Sequence, residues 1–257
     1  MRDVDINNIA VMYMTVHADK ERVNEDPPEL PFIIANNPES KGYALDSFKQ
    51  NAYKFDMYTD IIQLSFLYRD NFVHTLFCGD TDVQINEPIT DGPRVITTTD
   101  TEEELIRNSV AFINQIHQET KDGIVVSPSI FVGWKLTSDI WPMLINKALA
   151  YGIRMPQSLM SDPLRRFPIL DSLLDVSNIY AQGAHAVVRR LPALSDALRY
   201  WGYRGSDEVK RHPSPEEVID TVCSSPVTAA GVVEPYLRDM YSMVCRYYGQ
   251  GEGYGIE

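Results

Sequence analysis

Apolar and polar positions lay out strands in the first half of this chain and helices in the second. Ile9-Ala10-Val11-Met12-Tyr13-Met14-Thr15-Val16 is a continuous apolar and β-branched run of strand length. From Asp19 to about Asp56 the sequence is polar and rich in breakers (Pro27-Pro28, Pro31, Asn36-Asn37-Pro38, Gly42), which predicts an insertion or a flexible arm over 19–56. Strand character returns at Ile61–Tyr68. Arg69-Asp70-Asn71 separates that run from Phe72–Cys78, the pattern of a β-hairpin. A shorter strand is expected at Arg94–Thr98. Thr101-Glu102-Glu103-Glu104 then has the form of a capping box, with Leu105, Ile106, Val110, Ile113 and Ile116 following at helical spacing. The acidic first turn suits the positive end of the helix dipole.

Ile130–Trp134 reads as a buried strand, and the helical patterns begin after it. They cover Asp139–Tyr151 closed by Gly152, Asp171–Tyr180, Ala193–Trp201 closed by Gly202, Ser214–Cys223 and Ala229–Tyr248. Ser214-Pro215-Glu216-Glu217 is a second capping box with proline at the first helical position. A glycine-rich run from Gly249 to Gly255 predicts a flexible tail over 249–257. The order predicts an α/β fold: a mixed central sheet, antiparallel hairpin strands plus parallel strands, flanked by helices. With 257 residues and 44% hydrophobic content, the chain is expected to form a single domain with a sizeable core.

Composition narrows the function classes. Cys78, Cys223 and Cys245 are odd in number and far apart, so they form neither a disulfide framework nor a paired metal spacing. The five histidines are equally scattered, which argues against a zinc site. Met1–Asn8 has no apolar leader core and no apolar stretch is long enough to cross a bilayer, so a cytoplasmic protein without membrane contact is expected. A net charge of −13 excludes a general nucleic-acid coat. Basic residues outnumber acidic ones only between Tyr151 and Arg211, where Arg154, Arg189, Arg190 and Arg199 lie in a span that offers either a local phosphate-facing patch or a set of solvated arginines.

Finer detail comes from Gly133-Trp134-Lys135-Leu136-Thr137-Ser138-Asp139-Ile140-Trp141-Pro142, continued by Asn146-Lys147-Ala148. This stretch resembles the second motif of the DEDD-type 3′–5′ exonucleases of the ribonuclease-H-like superfamily, especially the proofreading domain of family-B DNA polymerases. Gly133, Trp134, Pro142, Asn146 and Ala148 fall in step without a gap. Ser172–Val176 is similar to the family's Asp-Leu segment, and Tyr236-Leu237-Arg238-Asp239-Met240-Tyr241 to its third motif. The resemblance implies a ribonuclease-H-like exonuclease fold and, in an active member, two magnesium or manganese ions held by converging carboxylates. The family's first strand supplies an Asp-x-Glu pair, since alternate strand residues share a face.

This sequence departs from the pattern at nearly every catalytic position. The first strand offers Met12 and Met14, or Tyr13 and Thr15, depending on register. The aspartate of the second motif is replaced by Ile140, with Asp139 one residue away. Asp239 stands in register, but the position four before it is Pro235. The residual catalytic candidates are therefore Asp239, Asp139 and Asp175, with Asp239 the remaining candidate metal ligand. Asp175 is alternatively a helix cap. Trp134, Lys135, Arg189 and Arg190 are the candidate nucleic-acid contacts. Trp134 reads either as a base-stacking platform or, more commonly beside Phe131-Val132, as core. Asp56, before the Ile61 strand, reads as part of the turn into it, and His17 and Asp19 as turn residues closing the first strand. The expectation is a non-cleaving exonuclease-fold module with no cofactor, binding single-stranded DNA or RNA or a protein partner. The alternatives are an active magnesium- or manganese-dependent exonuclease with a rearranged carboxylate site, and a pure protein-interaction scaffold.

Overall fold

A computed structural model describes residues 8–19, 21–25, 36–50, 56–78, 88–117, 120–121, 124–125, 130–155, 173–178, 192–203 and 215–248. Its centre is a seven-stranded mixed sheet. β1 (Ile9–Ala18), β2 (Thr59–Tyr68) and β3 (Asn71–Phe77) run antiparallel, and the short β4 (Ile89–Asp91) pairs antiparallel with β5 (Arg94–Thr99). β6 (Thr120–Lys121) and β7 (Ile124–Val125) form a separate ladder. β8 (Ile130–Gly133) joins β1 in parallel, and β9 (Leu173–Asp175) joins β8 in parallel. The order across the sheet is β4-β5-β3-β2-β1-β8-β9, with β5 parallel to β3.

Helices cover both faces. On one side lie α3 (Glu102–His117) and α4 (Trp141–Ala150). Leu105, Ile106, Val110, Ile113, Leu144 and Ala148 pack there against Met12, Leu64, Phe66 and Phe131. The other side carries α5 (Leu194–Tyr200), α6 (Pro215–Ser224) and α7 (Pro226–Tyr247). Leu194, Leu198, Tyr236, Leu237 and Met240 cover Ile9, Val11, Phe72 and Val132, while Val218, Val222, Ala229 and Ala230 cover Ile62, Leu76 and Ile96. Each fully buried large apolar side chain stabilises the fold by about 1.5–3 kcal/mol, which is why the two faces of β1 and β2 decide the layering.

Local chemistry sets the boundaries. Arg69 and Asp70 both adopt positive φ, the two-residue turn geometry whose twist matches the β2–β3 hairpin. The capping box closes as expected: the Glu104 N–H donates to Thr101 Oγ1 at 3.2 Å, while Glu104 Oε2 accepts from the Asp100 N–H. Gly152 closes α4 at φ 66°, and the Ile153 N–H reaches back to the Ala148 carbonyl at 2.7 Å.

Among its described residues the 19–56 stretch, expected as an insertion or a flexible arm, contains two helices, α1 (Arg22–Glu25) and α2 (Pro38–Gln50). Asn37-Pro38 starts α2 instead of breaking structure: Asn37 Oδ1 accepts from the Glu39 and Ser40 N–H groups, with Pro38 at the first helical position. The helix expected at Asp171–Tyr180 is instead strand β9, defined by its pairing with β8 and followed by helical residues 176–178. The helix expected from Asp139 begins at Trp141, after a π-helical turn over Leu136–Ile140. α7 starts at Pro226, capped by Ser225, three residues earlier than its apolar periodicity suggests. Ser214 and the tail 249–257 lie outside the described residues.

Two polar assemblies tie the layers together. Under α7 a chain of buried groups crosses four strands. Thr15 Oγ1 donates to Gln63 Oε1, Gln63 Nε2 to Ser65 Oγ, and Ser65 Oγ meets His74 Nδ1 at 2.8 Å. His74 Nε2 then meets Glu234 Oε1, which also accepts from Arg94 Nε at 2.6 Å. On the other face, Glu102 accepts from the Ile61 N–H (2.6 Å), Lys147 Nζ (3.0 Å) and the Tyr151 hydroxyl (2.6 Å). That bond serves a β-bulge: Thr15 faces Gln63 and Val16 faces Ile61, so Ile62 is the extra residue and both Ile62 and Gln63 turn towards α6 and α7.

Candidate functional site

β1 outruns its parallel neighbour. β8 pairs only with Ile9–Val11, so from Met12 onward that flank of β1 has no strand beside it among the described residues. The chain leaves β8 at Gly133 because the backbones lie close there: a Cβ on Gly133 would meet the Met12 carbonyl oxygen at 3.3 Å. Trp134 and Lys135 then turn the chain away. Lys135 takes a left-handed conformation (φ 54°), uncommon for a residue with a side chain, and its carbonyl accepts from the Asp139 and Ile140 N–H groups to start the π turn. The result is a cleft of about 800 Å³ at the carboxyl ends of β1 and β8. In the sheet order β1 is followed in the chain by β2 on one flank and β8 by β9 on the other, so the cleft lies where the strand order diverges, a usual place for a ligand crevice in an α/β fold.

The cleft has an apolar floor and a polar rim. Met12, Tyr13, Met14 and Val16 of β1 line it with Trp134, Ile140, Met143 and Leu194. Asp56, Lys135, Ser138, Asp139, Pro142 and Asn146 complete the lining. Asn146 Nδ2 donates to Asp56 Oδ2 at 2.5 Å, and Lys135 Nζ stands 3.6 Å from Asp139 Oδ2 with both side chains well exposed.

The structure places the sequence-derived candidates as follows. Tyr13, not Met12, faces α7, where it stacks on Tyr236 with ring centroids 5.8 Å apart. Burial, with Tyr236 alongside, pushes the Tyr13 phenol well above its ordinary pKa, so it stays protonated. Thr15 is buried and donates to Gln63. Ile140 is buried in the core against α3 and α4. Asp139 sits on the exposed rim, beside Lys135.

Asp175 caps the turn after β9, as the sequence allows. Its Oδ1 accepts from the Ser177 N–H and hydroxyl, and its Oδ2 from the Thr137 N–H and hydroxyl. Four hydrogen bonds commit both oxygens to holding β9 against the π turn. Asp239 lies on α7, half-buried, near Tyr203 and Tyr236, whose phenols are raised chiefly by burial, with the charge of Asp239 adding a smaller push. Neither Asp175 nor Asp239 lines the cleft. Trp134 is buried and packs edge-on against Trp201, the core reading, with one side on the cleft. Arg189 and Arg190 lie outside the described residues.

Among the described residues no three His, Cys, Asp or Glu side chains converge into a group that could hold a metal ion. Tyr13, Thr15 and Ile140 offer a buried phenol, a hydroxyl bonded to Gln63 and an apolar side chain, none of them a carboxylate. Sequence reasoning undervalued Asp56. It does lead into β2 through a 3₁₀ turn, Asp56–Tyr58, but its carboxylate also reaches the cleft rim. The signal was the second motif itself, whose Asn146 is its hydrogen-bond partner. Among the described residues no helix is long and apolar enough to cross a membrane. No protein-family model matches the chain, and no curated protein matches its sequence.

Proposed function

We propose that this protein is a ribonuclease-H-like, exonuclease-related module that binds through the cleft beside β1 and does not cleave. The strand order supports the fold assignment: antiparallel β1, β2 and β3 on one side, parallel β8 and β9 on the other, and the long helix α7 across β1. The observation that carries the functional reading is on β1. The positions facing α7, where a two-metal nuclease needs paired carboxylates, are Tyr13, stacked on Tyr236, and Thr15, bonded to Gln63. Purified protein incubated with magnesium or manganese and 5′-labelled single-stranded DNA or RNA leaves the strands full-length on this reading. Trimming from the 3′ end that disappears in Asp239→Ala overturns it, and establishes the rearranged active site instead.

A further inference from the structure

Loss of metal ligands does not explain the chemistry that replaced them. Three thioethers line the cleft, Met12, Met14 and Met143; Met14 is partly exposed, while Met12 and Met143 are buried. Its rim carries two carboxylates. Asp56 is hydrogen-bonded to the neutral Asn146 amide, and Asp139 has only the exposed Lys135 beside it, a pairing of small energetic weight. One cation against two carboxylates leaves the described lining net negative, in a chain of net charge −13. Such a rim repels a phosphate backbone and attracts cations. Methionine side chains are flexible and polarizable, and fit apolar groups of different shapes, which suits a surface that receives peptide side chains.

We propose that the cleft is a docking site for a segment of a partner protein in which apolar side chains alternate with arginine or lysine. The apolar groups seat against the partly exposed Met14 and Val16, and a cationic group meets the carboxylates of the rim. The proposal rests on the non-cleaving reading above, and commits it to a basic peptide in place of a nucleic-acid strand.

The test uses the full chain and three fluorescein-labelled probes: a peptide alternating leucine with arginine, its leucine–glutamate counterpart, and an oligothymidylate. Anisotropy is expected to show saturable binding of the leucine–arginine peptide, weakening as salt rises, and none of the leucine–glutamate peptide. Asp139→Lys, at an exposed position, is expected to weaken binding roughly tenfold, or about 1.4 kcal/mol. Glu103→Lys, the same charge change on exposed α3, is expected to leave binding unaltered. Absence of peptide binding, equal binding of both peptides, equal loss in the Glu103→Lys variant, or displacement of the peptide by oligothymidylate each overturns the proposal. Strand trimming in the nuclease assay defeats the non-cleaving reading alone, so the two failures are distinguishable.

Discussion

Gly133 shows how a single residue sets the site. It is the last residue of β8, and a methyl group there would sit 3.3 Å from both the Met12 carbonyl oxygen and Leu136 Cδ1. The oxygen belongs to β1, an interior strand, and cannot withdraw without disturbing the pairing with β2. Gly133→Ala is therefore expected to cost about 1–2 kcal/mol, read as a lower thermal midpoint. An unchanged midpoint would mean that β1 and the π turn relax together. At this scale the sequence was informative where neighbours in the chain are neighbours in space. The Gly133–Ala148 stretch singled out by its pattern supplies much of the cleft lining, and Asp175 could be read as a cap. It was silent where contacts are distant: Asn146 meets Asp56 across ninety positions, and which of Met12 and Tyr13 faces α7 depends on the register of β1.

The elements that were legible carry their own signals, and the others borrow identity from neighbours. α3 announces itself by capping box and periodicity, and α4 by Gly152. β9 has three residues and no period of its own, so only pairing with β8 makes it a strand. The two helices within the 19–56 stretch went unread because Asn-Pro punctuates a helix start as readily as a loop. α2 illustrates the consequence. None of its residues is fully buried, and it touches the rest of the protein through Leu45 and Phe48, packed near Val23 and Tyr58. Its stability therefore depends strongly on its cap. Asn37→Ala is expected to weaken the helix by about 1 kcal/mol. Hydrogen exchange should speed up over residues 38–50 while the global midpoint stays within a degree or two, and a large global loss would show that α2 is integral to the core.

For the whole molecule the decisive feature is the buried polar chain ending at Glu234. Burial alone would raise the pKa of this carboxyl, but hydrogen bonds from His74 and Arg94, with the charge of Arg94, hold it below the usual carboxylate range. A lowered folded pKa means that the ionised group stabilises the fold above its ordinary unfolded pKa, and that this contribution fades as the pH falls through the folded value. Glu234→Gln is expected to cost about 2 kcal/mol at neutral pH, because Arg94 loses its bidentate partner, with a smaller gap between variant and parent in acid. A gap that stays constant down to the acid limb would assign the loss to packing instead.

The same sheet ends on both described flanks in strands of three residues, β4 and β9. A flank that short offers few free backbone donors and acceptors, so an incoming chain gains little by lying alongside it as an eighth strand. Growth by edge-to-edge pairing, whether with a peptide or with a second copy, is thereby discouraged. Recognition is left to side chains, and the cleft along β1 beyond the end of β8 is an inlet for them.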